Sequence, residues 1–274
     1  MSVTFSSNIH DNLKAYVSSD ILSVLVSNRS ACCKTTDGYA LSFRFYDLQK
    51  PTYKESRNFF VLCGRHLKVF SENPKITSFL PHNKETDGTD ALYEFFANLI
   101  RNDINELDNL EKKILSREDE LLNGKQPDKG VLKRIVGYKH RVLRIKRYYS
   151  QLAMISETIE ENEGGMLSEQ YVKKFHMISC KTDRLLQDTL HLYECIVQVR
   201  EVYQAQIDIE QNNVMRIFTV ITTIFFPLTL IAGWYGMNLK MPEFSWDFGY
   251  LFVILLSVAF VIGSIIVFKI KRWF

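Results

Sequence analysis

IFTVITTIFFPLTLIAGWY, residues 217–235, is a run of 19 residues without a charge, and GYLFVILLSVAFVIGSIIVF, residues 249–268, is a second run of 20. At about 1.5 Å per residue, each is about as long as a bilayer core of ~30 Å is thick. Neither run has a face of charged residues, which separates them from the amphipathic core helices of soluble proteins. They read as a hairpin of two transmembrane helices. Residues 217–268 hold only three charges (Lys240, Glu243, Asp247), against 59 in residues 1–216 and three in 269–274.

Averaged over all 274 residues, that contrast disappears. The chain has 34 Lys+Arg, 31 Asp+Glu and a formal net charge of +3, with 46% hydrophobic and 24% charged residues. Such averages exclude a collagen-like chain, a disulfide miniprotein, a disordered chain and a strongly basic nucleic-acid binder. Five cysteines without CxxC spacing point to free thiols in a reducing compartment. The N-terminal segment lacks a basic start followed by an apolar stretch, so no cleaved signal peptide is expected. The hairpin loop 236–248 holds one Lys and two acids, whereas Arg216, Lys269, Lys271 and Arg272 flank the other ends. The positive-inside rule then puts both termini in the cytoplasm, with Trp234, Tyr235, Trp246 and Tyr250 at the outer interface and Trp273 at the inner one.

Upstream, no glycine or proline occurs from Leu167 to Phe226, which predicts one helix from about Ser168 to Trp234, roughly 100 Å long. Tyr171, Phe175, Ile178, Thr182, Leu185, Thr189, Leu192, Ile196, Val199 and Tyr203 step by alternating four and three, the seam of a helix packed on other helices. A second stripe runs through Glu201, Ala205, Asp208, Asn212, Met215, Thr219, Thr222, Phe226, Thr229 and Gly233. Its chemistry changes from acidic, through amide at the membrane edge, to hydroxyl and small within the bilayer. Threonines in a span can bond their own helix and simply tighten packing. Arranged around a symmetry axis, the same stripe becomes rings of carboxylates and amides with hydrophobic constrictions, the elements of a cation pore. Two spans cannot enclose a channel, so this reading requires a homo-oligomer.

The first span ends in Tyr235-Gly236-Met237-Asn238, followed by Met241-Pro242-Glu243 and preceded by Asn212-Asn213-Val214-Met215-Arg216, Phe226-Pro227-Leu228-Thr229 and Gly233. Over about residues 198–274 this resembles the CorA family of magnesium channels, whose signature is a Gly-Met-Asn at this place. The resemblance implies a funnel-shaped homopentamer, membrane α-helical, with a small N-terminal α/β cytoplasmic domain. It implies passive Mg²⁺ uptake, with Co²⁺ and Ni²⁺ as further ions, through a multi-pass protein of the cell (inner) membrane. Gly236, Met237 and Asn238 would form the outer selectivity mouth. Asn238 and Asn212 would meet a hydrated ion, and Met215 and Phe218 would form a hydrophobic gate. Lys269, Lys271 and Arg272 match the basic tail. Glu201, Asp208, Thr219, Thr222, Phe226, Thr229 and Gly233 complete the lining. Phe226 is bulkier than the Met common in relatives, and Lys240 weakens cation attraction at the outer loop. The family also implies Mg²⁺ as a regulatory ion. Asp20, Asp183 and Asp188 are candidates for that role without a motif. Alternatives are a zinc or other divalent transporter of the same superfamily (its ZntB branch), or a membrane-anchored scaffold. Met237 favours magnesium over zinc.

The expected domains are 1–90 (α/β), 91–167 (an antiparallel helical pair), 168–235 (stalk and first span), 236–248 (outer loop), 249–268 (second span) and 269–274 (basic tail). Within the first, Ile21–Val26, Tyr39–Tyr46, Asn58–Cys63 and His66–Phe70 read as strands. The pair reads as helices Asp90–Asn123 and Asp128–Glu163, the first acidic and the second basic early on. The six histidines show no HExxH or other metal spacing. A Walker loop, a GxGxxG and a nucleophile elbow are all missing, so neither an enzyme, an organic cofactor nor a nucleic-acid partner is expected.

Overall fold

The computed structural model describes residues 2–4, 13–28, 30–50, 55–71, 73–81, 86–122, 129–237 and 248–271. It divides into two compact units, Met1–Val202 and Tyr203–Phe274. The strands are β1 (Ser2–Thr4), β2 (Ala31–Thr35), β3 (Gly38–Phe45), β4 (Ser56–Cys63) and β5 (His66–Ser71). The helices are α1 (Ser19–Ser27), α2 (Gly88–Leu99), α3 (Asp103–Leu122), α4 (Lys129–Glu161), α5 (Glu169–Tyr235) and α6 (Gly249–Ile270). A 3₁₀ segment covers Pro74–Phe79.

The five strands form one sheet in the order β1-β5-β4-β3-β2, antiparallel except for β1 beside β5. Alternation along each strand sends side chains to opposite faces. Ala40, Phe59, Val61 and Phe70 point to one face, where Leu22 and Leu25 of α1 and Leu13 and Val17 cover them. The Ser42 hydroxyl donates to the Leu25 carbonyl there at 3.1 Å. Phe43 and Phe60 point to the other face and meet α2. The Phe60 and Phe95 ring centroids lie 4.6 Å apart, those of Phe43 and Phe60 5.7 Å, and those of Phe95 and Phe96 5.4 Å. Ala91, Leu92 and Leu99 of α2 are buried beside these rings.

Two predicted elements differ in the structure, and two strands are additional. Ile21–Val26 is helical within α1, where Leu22 and Leu25 share the buried face. An apolar run this short satisfies both periods, and the sheet face beneath Leu22 and Leu25 decides for helix. The helix expected from Asp90 to Asn123 is two, broken at Ile100–Asn102. Asn98 donates to the Phe79 carbonyl at 3.1 Å, tying the end of α2 to the 3₁₀ segment, and the chain then turns into α3. β2, an edge strand of five residues, and the three-residue β1 have no counterpart among the predicted strands.

α3 and α4 run antiparallel: Asp103 meets Tyr149 near one end of the pair, and Arg117 bonds Tyr138 further along it. α5 extends unbroken over 67 residues, closely matching the span expected from the absence of breakers. Of the ten seam residues, Phe175, Ile178, Thr182, Leu185, Thr189, Leu192, Ile196 and Val199 are buried, and Tyr171 and Tyr203 are half-buried. The seam threonines are compatible with burial because Thr182 donates to the Ile178 carbonyl and Thr189 to that of Leu185. In the second unit, the C-terminal part of α5 and all of α6 are long and apolar enough to cross a membrane, and only 6% of either apolar window is buried.

Candidate functional site

All ten positions of the polar stripe, from Glu201 to Gly233, lie on α5 and are exposed, as are most of their neighbours after residue 210. Met215, Phe218 and Phe226 are 61–70% exposed, an arrangement water does not tolerate over so long a helix and a bilayer or further helices would cover. Gln204 donates to the Asp208 carboxylate at 3.0 Å, which holds that acid against the helix surface one turn away.

The span threonines satisfy themselves. The hydroxyls of Thr219, Thr222 and Thr229 donate to the carbonyls of Met215, Phe218 and Phe225, each at 2.8 Å. A threonine has one proton to give and two lone pairs. Having given the proton to its own helix, each presents only an acceptor outward. Thr223 does the same toward Thr219 at 2.7 Å. Pro227 lies within the helix, where its missing N–H leaves the Thr223 carbonyl without its usual partner. That part of α5 faces α6 across a cleft of about 510 Å³ lined by Thr223, Pro227, Phe260, Gly263, Ser264 and Lys271.

The helix stops abruptly after Tyr235. The Gly236 N–H donates to the Ala232 carbonyl at 2.9 Å and Met237 to Trp234 at 3.3 Å. A Cβ at Gly236 would stand 2.8 Å from the Ala232 carbonyl oxygen, so the close of this turn requires glycine. Asn238, Lys240 and Arg272 lie outside the described residues. Lys269 is in the last turn of α6, where a cation complements the helix dipole, and the Lys271 N–H caps that turn through the Val267 carbonyl at 3.0 Å. Of the carboxylates weighed for regulation, Asp20 lies in the first turn of α1, and Asp183 and Asp188 lie on α5.

A stripe repeating every seven residues drifts by about 20° per heptad on a straight helix. Between Asp208 and Gly233 it therefore turns by roughly 70° unless several such helices supercoil. Two side chains seven residues apart on one helix are also separated by about 10 Å along its axis, too far to hold one ion together. Residues three or four apart on the stripe, such as Asp208 and Asn212, lie about 5–6 Å apart along the axis and share one face.

Comparison with known proteins agrees with this architecture. The chain is 28% identical over 186 residues to the cobalt/magnesium transport protein CorA of Thermotoga maritima, a match covering 67% of this chain and 50% of that protein. It thus spans about half the length of that relative. It is 24% identical over 232 residues to the magnesium transport protein CorA of Helicobacter pylori, covering 83% of this chain and 72% of the other. In fold it superposes on the CorA magnesium transporter of Methanocaldococcus jannaschii with a TM-score of 0.81, at 19% identity, over 99% of this chain and 90% of that one. The sequence profile described as CorA-like Mg²⁺ transporter protein matches residues 53–272, and the chain belongs to that family of transporters.

Proposed function

We propose that five copies of this chain form a passive channel for Mg²⁺, with the stripe of α5 as its lining and Gly236-Met237-Asn238 as its outer mouth. The observation that carries the reading is the set of threonines that have turned their protons inward. A hydrated Mg²⁺ presents water hydrogens, so its lining must accept hydrogen bonds, and Mg²⁺ gives up that shell reluctantly. Thr219, Thr222 and Thr229 are such acceptors in the span. Asn212, Asn238 and the carboxylates of Asp208 and Glu201 extend the path at its two ends. Rings of neutral and anionic oxygens then pass a hydrated divalent cation, and Met215 and Phe218 close the path by excluding water. Family membership supports the choice of ion, and the exposed spans support assembly.

Transport needs no ATP: a divalent ion gains about 2 × 2.3 kcal/mol per 100 mV of potential. Both termini lie in the cytoplasm in this reading, and rising internal Mg²⁺ acts back on the soluble part. The test is flux of the purified full chain in proteoliposomes holding a Mg²⁺-sensitive dye. A K⁺ gradient with valinomycin sets the potential, inside negative. Mg²⁺ entry that follows the potential is expected. Zn²⁺ entry without Mg²⁺ entry would assign the chain to the zinc branch instead, and a monomeric or dimeric mass in detergent would exclude the pore.

A further inference from the structure

α5 carries the pattern His-x₃-Cys twice, at His176/Cys180 and at His191/Cys195. An i,i+4 pair lies on one face of a helix, so both residues can reach one atom. The two pairs share the approach of ring nitrogen to sulfur. In each, the imidazole Nε2 faces the cysteine sulfur, at 3.6 Å for His176 and 3.8 Å for His191. In each, Nδ1 faces a carboxylate, that of Glu160 at 2.7 Å and that of Glu194 at 4.0 Å. At 2.7 Å the Glu160 carboxylate bonds His176 Nδ1, whereas Glu194 at 4.0 Å supplies only a nearby negative charge to His191.

The second pair has one more donor. Glu111 of α3 brings its carboxylate to 3.7 Å from His191 Nε2, and the donor atoms of Glu111, His191 and Cys195 all lie within 4.8 Å of one another. In a tetrahedral site with Zn–N of about 2.0 Å and Zn–S of about 2.3 Å, neighbouring donors stand roughly 3.5 Å apart. The observed N···O and N···S separations are already within a few tenths of an ångström of that.

We propose that Glu111, His191 and Cys195 form a binding site for a borderline-soft divalent cation of the Zn²⁺ or Co²⁺ type, which ties α3 to α5 within one protomer. The three residues take three tetrahedral positions and water takes the fourth. A thiolate and an imidazole reject Mg²⁺, a hard ion that demands octahedral oxygen. The site is therefore blind to the ion proposed for the pore and stands independently of that reading. Binding breaks the Cys195 S–H bond, forms a sulfur–metal bond and releases one proton to solvent. Burial, with Glu111, Glu118 and Glu194 nearby, pushes the Cys195 thiol above its ordinary value. Cys180 and His176 offer only two inner donors and serve as the internal control.

Co²⁺ added to the purified full chain in detergent reports the site directly. One Co²⁺ per chain with thiolate-to-cobalt charge-transfer absorption is expected, displaced by Zn²⁺ and unaffected by a large excess of Mg²⁺. The absorption is lost in Cys195→Ser and His191→Ala and retained in Cys180→Ser. Zn²⁺ raises the thermal midpoint of the wild type and not that of Cys195→Ser, and circular dichroism shows whether each variant is folded. No thiolate band in the wild type, a band that survives Cys195→Ser, or displacement by Mg²⁺ would overturn the site.

Discussion

Asp103 opens α3 with 9% of its surface exposed and accepts a hydrogen bond from the Tyr149 hydroxyl at 3.0 Å. Burial pushes its carboxyl from 3.8 up to about 6; the Tyr149 bond and Lys181 oppose the rise, and Glu106 and Asp47 add to it. A rise of about two units at 1.36 kcal/mol each means that the ionised form costs about 3 kcal/mol in the folded state. The sign follows from linkage: the folded state binds the proton more tightly than the unfolded state, so stability falls as pH climbs from about 4 to about 6. Asp103→Asn removes the charge and keeps an acceptor for Tyr149, while its new N–H₂ must find a partner, which offsets about 1–2 kcal/mol. The variant should therefore be more stable by about 1–2 kcal/mol at pH 7.5 and no more stable than wild type at pH 4.5. Hydrogen exchange of the α3 and α4 amides in the detergent-solubilised chain, corrected for intrinsic rates, reads this locally. Slowing by about tenfold at pH 7.5 and none at pH 4.5 is expected. Faster exchange of the variant at pH 7.5, or the same difference at both pH values, would refute the reasoning.

Three more substitutions probe the first unit, Met1–Val202. Phe60→Ala removes the ring that meets both Phe43 and Phe95 and should cost about 3–5 kcal/mol, read by urea titration followed by far-ultraviolet circular dichroism. Gly88→Ala drives a Cβ to 2.8 Å from the Arg65 carbonyl oxygen and the Leu67 nitrogen, both backbone, and should cost about 1–3 kcal/mol in the same assay. Asp90 accepts from Lys174 at 2.7 Å and from Tyr171 at 2.8 Å, joining α2 to α5. The Lys174 bond holds its carboxyl below the ordinary value, against the effect of burial. Asp90→Ala should loosen α2, by about 1 kcal/mol after allowing for solvent screening. That loss is present above pH 4 and fades as pH falls through the native value, because protonation removes the same ion pair from the wild type. Hydrogen exchange of α2 at pH 7 and at pH 3 measures it.

The parts of this chain that hydropathy and breakers control are legible in its sequence. The spans follow from two uncharged runs, and α5 follows from the absence of glycine and proline between Leu167 and Phe226. Its buried seam follows from the four-three spacing. What tertiary contacts decide is less legible. The break at Ile100–Asn102 involves neither glycine nor proline and is set by α2 packing on the sheet through Phe95 and Phe96. Ile21–Val26 fits strand and helix alike, and Leu22 and Leu25 resolve it only because a sheet face lies beneath them. The histidines read from the sequence as lacking metal spacing, because the third donor beside His191 and Cys195, Glu111, lies 80 residues away from His191 and comes into view only when α3 meets α5. The stripe of α5 is legible as a pattern. In the proposed channel its meaning depends on copies of the chain around it.

That dependence makes one comparison decisive: Mg²⁺ flux into proteoliposomes by the full chain against Asn238→Ala, with the oligomeric mass of both measured in detergent. If Gly236-Met237-Asn238 is the mouth of a pentameric Mg²⁺ channel, both proteins are pentamers, the wild type conducts and the variant loses nearly all flux. A variant that conducts Mg²⁺ as the wild type does would contradict the account.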